Sequence, residues 1–135
     1  MRALVVLVPV LRRPHRVQPF LASLHANTPD PVRALFIADP DDVEEHAAIR
    51  RCGADMLIHD GGYASKIDAA VQATTEPLVA LMADDVVFHP HWLEHAKRRL
   101  KGGVHVVGLN DLRHRPREHA THFLHPRAYC QHPTL

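Results

Sequence analysis

Cysteine is nearly absent: Cys52 and Cys130 are the only two among 135 residues, and neither belongs to a CxxC pair. A disulfide framework is thereby excluded, and a reducing compartment is the simpler setting. Net charge is just as scarce. Sixteen basic residues against fifteen acidic ones leave +1, so charge argues for neither a nucleic-acid nor a membrane partner. No apolar run reaches the roughly 20 residues that a membrane-spanning helix needs. The opening MRALVVLVPVLRRP could be taken for a secretory signal. Its apolar run is short, however, is broken by Pro9, and lacks a small-residue cleavage site before Arg12 and Arg13. A cytoplasmic location is the expectation. Also missing are HExxH, any Cys/His zinc spacing, and a glycine-rich phosphate loop after the first apolar run, where PVLRRP stands instead.

What is present is an ordinary globular composition with one excess. An apolar fraction of 46% and a charged fraction of 23% suit one domain with a single core. The excess is histidine: there are thirteen, most from His89 onward. Such a chain gains positive charge as pH falls through about 6.5.

Short apolar runs alternate with helical periodicity. ALVVLVPV (3–10) is a β-branched run of the kind buried on both faces of a sheet. Val17, Phe20, Leu21 and Leu24 then share one helix face. VRALFIAD (32–39) is a second strand, and Asp39-Pro40 reads as the N-cap of a helix that runs to Cys52 and stops at Gly53. DMLIHD (55–60) is a third strand, with a helix after it carrying Ile67, Ala70, Val71 and Thr74. PLVALMA (77–83) is a fourth, followed by a helix over 90–101 and a fifth strand, VHVVGL (104–109). The last 26 residues are rich in His, Pro and Arg without a sustained period, and read as loop or tail. Four alternations predict an α/β fold: a mainly parallel sheet with helices on both faces.

Ligands of such sheets bind at the carboxyl ends of the strands. AD (38–39), HDGG (59–62), ADD (83–85) and ND (110–111) would all lie on that rim. Single acids there also serve as helix caps. Two adjacent ones, Asp84 and Asp85, repel each other and resist burial. They are open to three readings: a solvated turn, a capping pair, or a site for a hard cation such as Mg²⁺ or Mn²⁺.

Three segments, in order, resemble a known family. VVLVPVLRRPHRVQPFLASLHANTP is similar to the first strand and helix of GT-A fold glycosyltransferases close to the family 2 type. RALFIADPDD resembles their second strand, whose terminal acid contacts the nucleotide base. GGYASKIDAAVQATTEPLVALMADDVVFHPHW resembles the stretch in which a helix leads into the Asp-x-Asp strand end and a following P-x-W helix. The likeness spans roughly residues 4 to 112.

That resemblance implies a Rossmann-like nucleotide-diphospho-sugar transferase fold. Residues 1–112 would bind the nucleotide sugar, and 113–135 would be a tail or an incomplete acceptor region. It further implies that Asp39 lies near the base, Lys66 near the phosphates or base, and Asp68 at the polar position opening that helix. Pro9 and Arg12 would shape the pocket, with Asp84 and Asp85 at the metal and diphosphate. The cofactor would be Mn²⁺ or Mg²⁺, the donor a nucleotide-diphosphate sugar with a UDP-sugar favoured, and the acceptor a glycan, lipid or small molecule.

Two departures stand out. Met82 occupies the position of the family's first Asp, and the later acidic motif that usually holds the general base has only Asp111, Glu118 and tail histidines to supply it. Asp111 and His122 are the catalytic candidates. His122, in HATHFL, is also a candidate metal ligand because that stretch resembles an acceptor-side loop of phage and bacterial relatives. The rival readings are a non-catalytic nucleotide-binding or assembly module of the same fold, and a plain α/β domain whose acids are caps. A nucleotidyltransferase is disfavoured by PVLRRP in place of a phosphate loop.

Overall fold

The computed structural model describes residues 3–102, 106–109 and 122–130. β1 (Leu4–Pro9) is the central parallel strand and is buried on both sides. Leu4, Val6 and Val8 join one apolar cluster, while Val5 and Leu7 join another. A 3-10 turn (Pro14–Arg16) leads into α1 (Val17–Ala26), which buries Val17, Phe20, Leu21 and Leu24 as its periodicity predicts. β2 (Val32–Ala38), α2 (Val43–Arg51), β3 (Asp55–Ile58) and α3 (Tyr63–Gln72) follow. Then come β4 (Leu78–Leu81), α4 (Trp92–Lys101) and β5 (Val107–Leu109). Gly53, at a φ of +67°, takes the left-handed conformation that ends α2.

The sheet has the order β3-β2-β1-β4-β6-β5, where β6 is His122–Pro126. β1 to β4 pair in parallel, and β6 runs antiparallel to both β4 and β5. The chain winds outward from β1 to β3 and then crosses back to β4. The switch point, where such sheets open a crevice at their carboxyl ends, therefore lies between β1 and β4.

Helices cover both faces. α1, α2 and α4 pack on one side around Phe20, whose ring meets Phe36 edge-on at 5.8 Å and Phe88 at 5.3 Å. α3 covers the other side, setting Ala70 against Val5, Leu7, Ile37 and Val79. Trp92 packs tilted against Phe88 with ring centroids 4.9 Å apart and donates its indole N–H to Thr28 Oγ1 at 2.8 Å, so it is a packing residue.

Two sequence expectations are corrected. The second helix does not begin at Asp39-Pro40: its N-cap is Asp42, and the Asp39 carboxylate is engaged by Lys66 instead. Nor is the tail all loop. β6 fills the slot between β4 and β5 with Leu124 fully buried, and the short helix α5 (Arg127–Cys130) follows. Arg127 anchors that return, donating to the carbonyls of Glu76 (2.6 Å) and Val71 (2.8 Å) and to Thr74 Oγ1 (2.8 Å). Five residues, two of them histidine, are too few for a period to show.

Candidate functional site

Because β1, β2 and β4 run parallel, their carboxyl ends deliver Val10–Arg13, Asp39 and Met82–Asp85 to one rim. Two internal ion pairs organise it. The first joins α3 to β2. Lys66 has only 5% of its side chain exposed, and its Nζ sits 2.8 Å from Asp39 Oδ1 while donating to the Val10 carbonyl at 3.1 Å. An ammonium withdrawn from water needs such partners, and β1 and β2 each provide one. Asp39 is steadied again by α2, since His46 Nε2 donates to its carbonyl at 2.8 Å.

The second pair is Arg13 with Asp84. Asp84 has 1% of its side chain exposed against 46% for Arg13, so a buried carboxylate is covered by a half-exposed guanidinium. Asp84 Oδ1 takes the Arg13 Nη2 hydrogen bond, while Oδ2 is buried without a hydrogen-bond partner. Burial pushes the Asp84 carboxyl above its usual range; Arg13 works against this and the neighbouring Asp85 adds to it. Asp85 itself is exposed.

The loop carrying Arg13 is tied down by α2. Arg12 adopts a φ of +51°, a left-handed conformation that costs a non-glycine residue about 1–2 kcal/mol. Its backbone N–H donates to Asp42 Oδ2 at 2.8 Å, and that of Arg13 donates to Glu45 Oε2 at 2.9 Å. Glu45 is fully buried and its Oε1 has no partner; burial raises its pKa, and the Arg13 N–H pulls it back. Asp42, Glu45 and Asp84 thus surround one two-arginine loop.

The sequence candidates divide accordingly. Pro9, Arg12, Asp39, Lys66, Asp84 and Asp85 come to the β1–β2–β4 rim. Asp68 stands apart, exposed on α3 and accepting from Gln72 Nε2 at 3.3 Å. His122 opens β6, next to the Leu81–Phe123 pair, and so enters the sheet where β4 gives way to Met82. Asp111 and Glu118 lie outside the described residues. Met82 is 1% exposed and belongs to the core, so the position of the family's first Asp is an apolar one here.

Arg13, Asp42 and Glu45 were not singled out as site residues from the sequence. One signal for Glu45 was there: positions 45, 48 and 49 form the buried stripe of α2, and an acid occupies one of them.

Among the described residues no three His, Cys, Asp or Glu side chains converge on a point that would hold a metal. A diphosphate-bound Mg²⁺ or Mn²⁺ does not require that, since one or two carboxylates with substrate oxygens and water suffice. The buried, unpartnered Oδ2 of Asp84 with exposed Asp85 beside it fits that smaller donor set.

A family model described as glycosyl transferase family 2 matches residues 5–127. No curated protein matches the sequence. Among solved structures, a mannosyltransferase from Pyrobaculum calidifontis in complex with GDP-Man and Mn²⁺ superposes with a TM-score of 0.79 at 15% identity. That match covers 97% of this chain and 46% of the other. Glucosyl-3-phosphoglycerate synthase from Mycobacterium tuberculosis, in complex with UDP, gives 0.76 at 13% identity over 94% of this chain and 57% of its own. The same enzyme with Mn²⁺, UDP and glucosyl-3-phosphoglycerate gives 0.66 at 15% identity, over 79% of this chain and 43% of the other. The chain therefore spans about half the length of these structures.

Proposed function

The chain belongs to glycosyltransferase family 2 and has its GT-A fold, and on that footing we propose that its β1–β2–β4 rim binds a nucleotide-diphosphate sugar together with Mn²⁺ or Mg²⁺ and transfers the sugar. The observation that carries this reading is Asp84: a buried carboxylate at the switch-point end of β4, with one oxygen unpartnered and two basic residues after β1, Arg13 and Arg16, acting on it. A buried anion without a full set of partners is costly unless a ligand completes it.

Each residue has a distinct task on this reading. Asp39, held by Lys66 and His46, accepts from the base. Lys66 balances Asp39 and lends positive potential to the phosphate end of the crevice. Asp84 and Asp85 would hold the cation, which when bound would supply positive charge to stabilise a departing diphosphate. Pro9 and Arg12 bound the pocket beside β1, and Asp68, midway along α3 and not at its start, is a further proposed donor-binding residue. The acceptor hydroxyl must lose a proton as the new glycosidic bond forms. Asp111 and His122 are the proposed groups to take it, with His122 also a proposed cation ligand. A UDP-sugar is the favoured donor, a glycan, lipid or small molecule the acceptor, and the cytoplasm the location.

A second reading, nucleotide binding without transfer, is favoured by Met82, which removes one acid from the family's motif. Titration with UDP and GDP, with and without Mn²⁺, tests the donor site. Metal-dependent binding of either nucleotide is the expected result; no metal-dependent binding of either would sink it. Incubation with UDP- and GDP-sugars then separates the two readings, because only a transferase releases nucleotide diphosphate faster than water alone does.

A further inference from the structure

Arg13 occupies the carboxylate that the donor's cation is expected to use. We propose that Arg13 is an exchangeable internal cation. Without donor it neutralises Asp84; when the donor arrives with its metal, Arg13 releases Asp84 and turns to the diphosphate. This inference rests on the donor-site reading above.

Three observations carry it. First, the pair is lopsided: Asp84 is sealed in the protein while nearly half of the Arg13 side chain reaches solvent. A side chain already half-exposed can swing out into solvent, whereas the buried Asp84 cannot follow. Second, the backbone of Arg13 is fixed independently of its side chain. Its N–H is held by Glu45, and the left-handed Arg12 before it is held by Asp42. Side-chain rotation therefore moves the charge without moving the loop. Third, Asp84 Oδ2 remains unpartnered while Arg13 bonds only Oδ1. One arginine leaves the carboxylate incompletely satisfied, so a divalent ion that can engage it has an advantage once available.

The charge balance favours exchange only when both partners arrive. A metal alone must displace Arg13 and strand a guanidinium with no new anion. A metal-bound diphosphate supplies both a cation for Asp84 and phosphate oxygens for the fork-shaped guanidinium, which suits paired oxygen acceptors. Metal and nucleotide should thus bind with positive coupling, and Arg13 should be a main source of it.

The test measures Mn²⁺ binding by electron paramagnetic resonance on the full chain, first without nucleotide and then with UDP or GDP. Replacing Arg13 by Gln should tighten nucleotide-free Mn²⁺ binding by a factor of roughly 5 or more, the lower end of usual site-to-site coupling. That gain should vanish in the Arg13→Gln, Asp84→Asn double variant, which excludes metal taken up by surface histidines. The same Arg13→Gln variant should bind nucleotide more weakly at saturating Mn²⁺. Arg13→Lys keeps the charge and should resemble the parent in nucleotide-free Mn²⁺ affinity, so it serves if Arg13→Gln does not fold. Unchanged or weaker nucleotide-free Mn²⁺ binding in Arg13→Gln overturns the proposal, as does an Arg13→Lys affinity several-fold above the parent's. If the parent binds neither nucleotide even with Mn²⁺, the donor-site reading itself fails. If it does bind but Arg13→Gln leaves metal affinity where it was, only the exchange fails.

Discussion

At the scale of single residues, the site depends on charges that have been taken out of water. Glu45 is the clearest: fully buried, it has one oxygen on the Arg13 N–H and the other without a partner. Its contribution is a hydrogen-bond acceptor more than a charge. Glu45→Gln, which keeps an acceptor of the same shape, is expected to change stability by less than about 1 kcal/mol. Glu45→Ala strands a backbone donor and opens a cavity, and should cost about 1–3 kcal/mol. Urea unfolding of the two variants checks this, and equal losses would contradict it. Asp84 differs because its charge is what a ligand would use. Asp84→Asn with Asp85→Asn should abolish metal-dependent nucleotide binding while leaving the melting temperature within about 5 °C of the parent, a shift of order 1–2 kcal/mol in a chain of this size. A large loss of stability would instead assign the pair to the architecture.

At the scale of elements, each strand end makes sense through what the next helix does to it. α2 ties the β1 loop through Asp42 and Glu45, and α3 reaches back under β1 and β2 with Lys66. Met82 marks where β4 hands over from core to rim, packed among apolar neighbours two residues before Asp84. Restoring the family's acid there, Met82→Asp, is therefore expected to destabilise the fold by about 3–5 kcal/mol, as an unpaired buried charge does. A soluble variant with parental stability in thermal melts would show that position 82 can face the rim.

Much of this layer was legible in the sequence. The stripe at 17, 20, 21 and 24 gave α1 its buried face, and the β-branched run at 4–8 announced a strand covered on both sides. What could not be read was long-range. Asp39-Pro40 has the local form of a helix cap, but a lysine 27 positions later takes the carboxylate, and the cap passes to Asp42. Arg13 and Asp84 are 71 residues apart, and nothing local to either announces the pair. β6 escaped because HFLHP becomes a strand only by filling a slot between two others.

At the scale of the whole molecule, one sheet carries both halves of the proposed chemistry. β1, β2 and β4 present the donor side, while β6 brings His122 into the same sheet beyond β4. The strand also sets a pH limit on the fold. His125 is buried in β6, and burial holds its imidazole below the usual value; Arg127 acts in the same direction, while the Pro126 carbonyl opposes it. A lowered native pKa means the unfolded chain takes up the proton first as pH falls through about 6.5. Stability should therefore drop on acidification below that point. The fall in melting temperature between pH 7.5 and 5.5 is expected to be smaller in His125→Gln than in the parent, and equal falls would remove His125 as the cause.

The central claim is that a metal-bound nucleotide diphosphate sits at the β1–β2–β4 rim with Asp84 beneath it. Paramagnetic broadening of backbone amide signals by Mn²⁺, in protein saturated with UDP or GDP, reads that position directly. The account predicts strong broadening at Asp84, Asp85, Arg12 and Arg13, with little at Asp30 and Lys97, which pair with each other between the turn before β2 and α4. Broadening that spares Asp84 and Asp85 and centres elsewhere would contradict it.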